Sequence, residues 1–176
     1  MAVGNWIHAD RSARREREIA RLQEQLRLLY GPLWFFTSQN EQLLKLAGSV
    51  QDAHQEFFTG KWSTDATTQS SLVEAGEATT SLSNMYVERV VENNSRVMAV
   101  LEANWHLTDL ADVEIFSRFQ VDYTRFLSEV KQRGRQKVPL QIVMKLGPIP
   151  FMHRDMIARV HAAVQQKQAR LAELRS

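Results

Sequence analysis

Stepping by threes and fours from Ile19 to Phe57 lands on Ile19, Leu22, Leu26, Leu29, Leu33, Phe36, Asn40, Leu43, Ala47, Val50, His54 and Phe57. Only Asn40 and His54 interrupt an otherwise apolar line. A 3-4 spacing held over this length predicts an α-helix that lays one narrow face against other helices, in the same chain or in a second copy. Gly31-Pro32 sits inside the line. Pro32 has no N–H for the Leu28 carbonyl and its ring presses on that carbonyl, so a helix that continues must kink there. The alternative is that Gly31 closes one helix and Pro32 opens the next. The unbroken phase favours the kink, because an intervening loop would reset it.

Later segments supply faces to cover this helix. Leu82, Met85, Tyr86, Val90, Val97, Met98, Leu101 and Trp105 predict the inner side of a helix from about Ser71 to His106. Thr108 or Asp109 caps the next, through about Val130, with Val113, Phe116, Phe119, Tyr123, Phe126, Leu127 and Val130 at helical spacing. Val138 to Pro150 alternates as a strand would, yet the chain offers no second strand to pair with it, so Pro139, Gly147 and Pro148 punctuate a short helix instead. Met156, Val160, Val164, Leu171 and Leu174 mark a last helix from about Phe151. The expectation is an all-α, single-domain helical bundle of four to five main helices, led by a long and kinked N-terminal helix. Residues 1–10 would be a flexible N-terminus or the remnant of a membrane anchor, and residues 11–176 the helical domain.

The chain has no cysteine among its 176 residues, which excludes disulfides, thiolate zinc sites and thiol catalysis. Glu102 and His106 share a helical face near Asp109 and Asp112, but a di-metal bundle site needs two Glu-x-x-His copies and two further carboxylates. These residues read as helix-end caps. His153 and His161 lie two turns apart, too far for one ion. The glycines are scattered singly, with no phosphate-binding loop and no G-x-S-x-G turn. No catalytic residue, metal ligand or cofactor is therefore nominated, and the chain is expected not to be an enzyme. The longest run free of charged and hydrogen-bonding aliphatic side chains, Leu28 to Phe36, falls short of the ~20 residues that span a bilayer, and Met1 to Asp10 has no secretory pattern. A cytoplasmic address follows as an expectation.

What remains is surface. Trp34, Phe35 and Phe36 are three large rings in succession and cannot all face one core, so at least one is expected at an interface. Tyr30, Trp34, Phe35, Phe36 and Asn40 form the candidate interaction surface. Asn40 is either a register-setting polar contact or a point where the line turns to solvent. Arg11, Arg14, Arg15 and Arg17, with Lys131, Arg133, Arg135 and Lys137, are the candidate contacts to an anionic surface. Twenty-two Lys and Arg against twenty Asp and Glu leave a net charge of +2, which argues against a dedicated nucleic-acid binder. Lipid headgroups suit the first basic run better, because Trp6 and Ile7 precede it.

The basic lead-in, Leu28, Tyr30-Gly31-Pro32-Leu33-Trp34, Asn93-Asn94, Arg96-Val97-Met98 and the aromatic helix together resemble a loose group of uncharacterised bacterial helical proteins. Members of that group usually carry one N-terminal transmembrane helix before the basic stretch. The resemblance implies an architecture and no reaction, and this sequence departs from it in opening at Met1-Ala2-Val3-Gly4-Asn5-Trp6 without such a helix. An anchor before Trp6 would place the domain at the cytoplasmic face of the inner membrane by the positive-inside tendency. The functional expectation is a non-enzymatic helical interaction module, free or seated at that face, which binds a protein partner or a second copy through its long first helix. The alternatives are a module for anionic lipid or nucleic acid, and an enzyme of unassigned class.

Overall fold

The computed structural model describes residues 2–58, 69–134 and 154–176. Within them every long element is an α-helix and there is no strand: α1 (Ala2–Gln25), a π-helical turn (Leu26–Tyr30), α2 (Gly31–Phe58), α3 (Gln69–Asn104), α4 (Val113–Gly134) and α5 (Arg154–Arg175). Two short 3-10 turns, Trp105–Leu107 and Leu110–Asp112, join α3 to α4. The all-α expectation holds. The short helix expected over Val138 to Pro150 falls outside the described residues.

Helix α1 runs through the π turn into α2 without a break, and Pro32 explains how. Its missing N–H and its bulk rule out a regular i→i−4 ladder at Leu28. The backbone answers with one extra residue in the turn, in which the Gly31 N–H donates to the Leu26 carbonyl five residues back. Gln25 and Gly31, on either side, keep right-handed helical dihedrals, so the irregularity stays inside one turn. Glycine is required at 31, because a Cβ there would overlap the Leu26 carbonyl oxygen.

The apolar spacing puts Phe36 on the inner face, yet Thr37 is the buried residue and Phe36 is only partly covered. Viewed from buried Leu33, Thr37 lies about 40° to one side and Phe36 about 60° to the other, and the inward face leans toward the threonine.

The chain divides into two compact units. The first comprises Met1–Phe35, Val97–Gln120 and His153–Ser176, and its interior is largely apolar: Leu29, Tyr30, Leu33, Val97, Leu101, Leu107, Phe116, Phe119, Met156, Val160, Ala163, Val164 and Leu171. The second comprises Phe36–Arg96 and Val121–Met152. Its described interior pairs Ala47, Val87, Val90, Tyr123 and Phe126 with Thr37, Asn40, Ser83, Asn93 and Asn94. The aromatics expected inside α4 are inside. On α3 and the 3-10 turn after it the spacing misplaced three residues: Leu82 and Met85 are exposed, Trp105 sits at the surface, and the buried line runs Ser83, Val87, Val90, Asn94, Val97, Leu101. That line is also a 3-4 repeat, but it begins on serine and passes through asparagine, so apolar residues alone do not trace it.

Candidate functional site

The first unit holds a cluster of charged groups beneath the π turn. Tyr30 is fully buried; its hydroxyl donates to Asp112 Oδ2 at 2.6 Å and accepts from the Asp109 backbone N–H at 3.1 Å. Lys167 Nζ stands 4.4 Å from the Tyr30 ring centroid, a cation–π distance. The same ammonium donates to Asp109 Oδ2 at 2.5 Å and to Gln25 Oε1 at 2.9 Å. Gln25 Nε2 in turn donates to Asp109 Oδ1 and to the Leu107 carbonyl, each at 2.8 Å. Arg159 pairs with Asp112, whose side chain is fully buried, and Arg21 approaches Asp109 at 3.7 Å.

Each acid thus meets a cation from α5; Asp112 ends the second 3-10 turn and Asp109 immediately precedes it in extended backbone. The chemistry follows from those neighbours. Burial pushes the Tyr30 hydroxyl far above its usual range, reinforced by its bond to Asp112, so it stays a neutral donor. Burial also pushes the Asp109 carboxyl up, but hydrogen bonds from Lys167 and Gln25 and the charges of Lys167 and Arg21 outweigh it, and the group ends below the usual carboxylate value. Arg159 is raised by its bond to Asp112. The cluster is a closed set of paired charges that fixes backbone. Among the described residues no group of three or more His, Asp or Glu could hold a metal ion.

Immediately after the π turn, Trp34 and Phe35 are exposed, at 46% and 50%. The Trp34 ring lies 6.2 Å from the His161 ring on α5. Between the two pinned aspartates, Leu110 is 93% exposed.

The candidate surface therefore divides. Trp34 and Phe35 are outward, whereas Tyr30 and Asn40 are interior residues, because the first is drawn into the charge cluster and the second into an amide ladder. Phe36 is partly covered, and the Arg96 guanidinium stands 5.8 Å from its ring centroid in the second unit. In that ladder Asn93 Nδ2 donates to Asn40 Oδ1 at 2.9 Å, and Asn40 Nδ2 donates to Asn94 Oδ1 at 2.8 Å. Asn40 makes a buried polar contact with α3 and is not a turn to solvent. The His54 side chain lies outside the described residues.

Of the basic candidates, Arg11, Arg14, Arg15 and Arg17 are all exposed along α1. Arg14 pairs with Asp10 at 2.8 Å, Arg15 Nε donates to the Leu174 carbonyl at 2.5 Å, and Arg17 Nε donates to the Ala13 carbonyl at 3.1 Å. The backbone of Lys131 and Arg133 continues α4, so the expected basic link begins as helix. Their side chains, and all of Arg135 and Lys137, lie outside what is described.

Sequence reasoning took Asp109 and Asp112 for helix caps and passed over Gln25, Arg159 and Lys167. A signal for two of these existed. Lys167 falls on the α5 apolar line at the step from Val164 to Leu171, and Gln25 falls between Leu22 and Leu29. A charged or amide side chain at such a position announces a buried partner.

Comparison of the chain with protein-family models, with the curated proteins and with the solved structures finds no match. No described helix is long and apolar enough to cross a membrane.

Proposed function

We propose that the protein is a non-enzymatic helical interaction module that holds a protein partner, or a second copy of itself, through Trp34 and Phe35. The observation that carries this reading is the exposure of both rings on the first turn of α2, directly beyond a π turn braced by Tyr30, Asp109, Asp112 and Lys167. Large rings on fixed backbone suit an interface, because little ordering is left to do when the partner arrives. π turns also concentrate at functional sites. Leu110, held outward between two pinned acids, offers a second apolar contact of the same kind.

Light scattering of the wild type and of Trp34→Ser Phe35→Ser over a range of concentrations tests the reading. Where the partner is a second copy, the wild type gains mass with concentration and the variant does not, with affinity reduced by roughly 2 kcal/mol or more, about thirtyfold. Where it is another protein, a native extract yields a stoichiometric partner for the wild type and none for the variant. A monomer whose retained proteins are the same with and without the two rings overturns the proposal.

The seat at a cytoplasmic membrane face belongs to the same proposal, and the exposed run from Arg11 to Arg17 supports it. Binding to vesicles containing anionic lipid, weakening as salt rises, is expected. Indifference to lipid charge would remove this part and leave the rest.

A further inference from the structure

We infer that the second unit carries a carboxylate-binding site made by Arg96, Phe36 and Gln39, and that a partner meets it with an acidic peptide segment. On α2, Phe36 and Gln39 lie one turn apart, as Asn93 and Arg96 do on α3. Two contacts set these pairs side by side. The Arg96 guanidinium lies over the Phe36 ring, 5.8 Å from its centroid, and Asn93 Nδ2 donates to Gln39 Oε1 at 3.3 Å. Gln39 is only partly covered, and its Nε2 has no protein acceptor among the described residues. Arg96 is exposed, and among the described residues no carboxylate pairs with it. The acids on nearby turns are taken: Glu92 by Arg89 at 2.6 Å, and Glu41 by Lys45 at 3.3 Å. The three side chains thus offer N–H donors and a full positive charge over an apolar ring, and their one acceptor, Gln39 Oε1, is engaged.

Such a set suits a carboxylate. A guanidinium laid on a ring holds its fork of donors in a narrow range of directions, and that fork matches a carboxylate with two parallel bonds. Being more weakly hydrated than an ammonium, it also loses less when a partner covers it. Gln39 Nε2 adds a neutral donor. One cation balances the single charge of Asp or Glu better than the nearly double charge of a phosphate group. Phe36 directly follows Phe35 in the chain, so the expected ligand is a peptide with an acid beside apolar residues. That the site serves a protein partner rests on the interaction reading above, whereas the donor set does not.

Peptides selected by phage display on the full-length wild-type chain test this. Their affinities are then measured, as synthetic peptides, on the wild type, Arg96→Lys, Arg96→Glu and Trp34→Ser Phe35→Ser. An Asp or Glu should recur at one position of the selected peptides. Affinity should fall about tenfold or more on Arg96→Glu, and equally when that acid is replaced by its amide, with a smaller loss on Arg96→Lys, which keeps the charge without the fork. Because Arg96 is exposed, these variants should keep the wild-type helix content and urea midpoint. Selected peptides without the acid, or binding indifferent to Arg96→Glu, overturns the inference. Tighter binding of inorganic phosphate than of the acidic peptides, or self-association lost in Arg96→Glu with no peptide selected, overturns it in favour of a phosphate or a second copy. Peptides that need Arg96 but not the rings keep the carboxylate site and remove the interaction reading; peptides that need the rings but not Arg96 do the reverse.

Discussion

The two units solve the problem of interior polarity in opposite ways. In the first, the buried polar side chains Gln25, Asp112 and Lys167 take part in charged pairs or charge-assisted bonds, and a larger apolar interior surrounds them. In the second, described polar residues are as numerous inside as apolar ones. Its ladder of neutral amides ends with Asn93 Oδ1 and Asn94 Nδ2 lacking any protein partner, as do Ser83 Oγ and Asn84 Oδ1. The first unit has one such atom among the described residues, Thr108 Oγ1. A buried polar atom without a protein partner either orders a water, at up to ~2 kcal/mol, or stays unmet at about 1–3 kcal/mol. Paired charges with good geometry fix a single arrangement, whereas an open-ended amide ladder leaves the described interior of the second unit the looser of the two. The exposed rings Trp34 and Phe35 belong to the fixed unit, where a recognition surface gains from rigidity.

That contrast can be broken by substitution. Asp112→Ala should have the largest effect, about 3 kcal/mol, because it strands Arg159 and the buried Tyr30 hydroxyl together. Urea unfolding measures it, and a loss below 1 kcal/mol would mean the pairs do not brace the unit. Asn40→Ala comes next, at roughly 2 kcal/mol, since Asn94 Oδ1 loses its donor and Asn93 Nδ2 is left with only its longer bond to Gln39 Oε1. Replacing Asn40, Asn93 and Asn94 together by leucine should be close to neutral or stabilising in the same assay, because the buried amides go together and only the part-covered Gln39 loses a donor. If the triple variant is as damaged as the single one, the ladder holds more than hydrogen bonding. Tyr30→Phe keeps the ring and removes one donor, for about 1 kcal/mol.

Acid should have the smallest effect, and it should act on one unit. The folded-state value of Asp109 lies below its usual 3.8, so its ionised form contributes stability above that pH. That contribution fades as pH falls from about 3.8 through the lower folded-state value. The second unit's ladder is made of amides, which do not titrate. Amide protection followed from pH 6 to pH 3 should decline first around Leu29 and Tyr30, and an earlier decline at Val87 and Val90 would contradict this.

Much of the fold is legible in the sequence because periodicity reports burial directly. Phe116, Phe119, Tyr123 and Phe126 on α4, and Met156, Val160, Val164 and Leu171 on α5, all fall where their spacing puts them. The exchange of Phe36 for Thr37 was not legible, since both flank the inward line through Leu33 and Asn40 and a seam traced on apolar residues passes over a threonine. Pro32 marked the place of the irregularity but not its remedy, the π turn. The charge cluster was illegible for a different reason: Asp109 and Asp112 sit in a capping sequence, and only Tyr30 and α5, distant in sequence, show that they serve the interior. Of the candidate surface, crowding alone shows that at least one of Trp34, Phe35 and Phe36 faces outward but not which, while Tyr30 and Asn40, from the same segment, face inward.

The central claim is that a fixed, charge-paired unit presents the rings while the amide-filled unit is looser, and native-state hydrogen exchange tests it most directly. Opening free energies at Leu29, Tyr30 and Val160 should exceed those at Val87, Val90 and Asn94 by at least about 1 kcal/mol, within the range that separates cooperative units of one protein. Equal protection in the two sets, or the reverse order, would contradict the account.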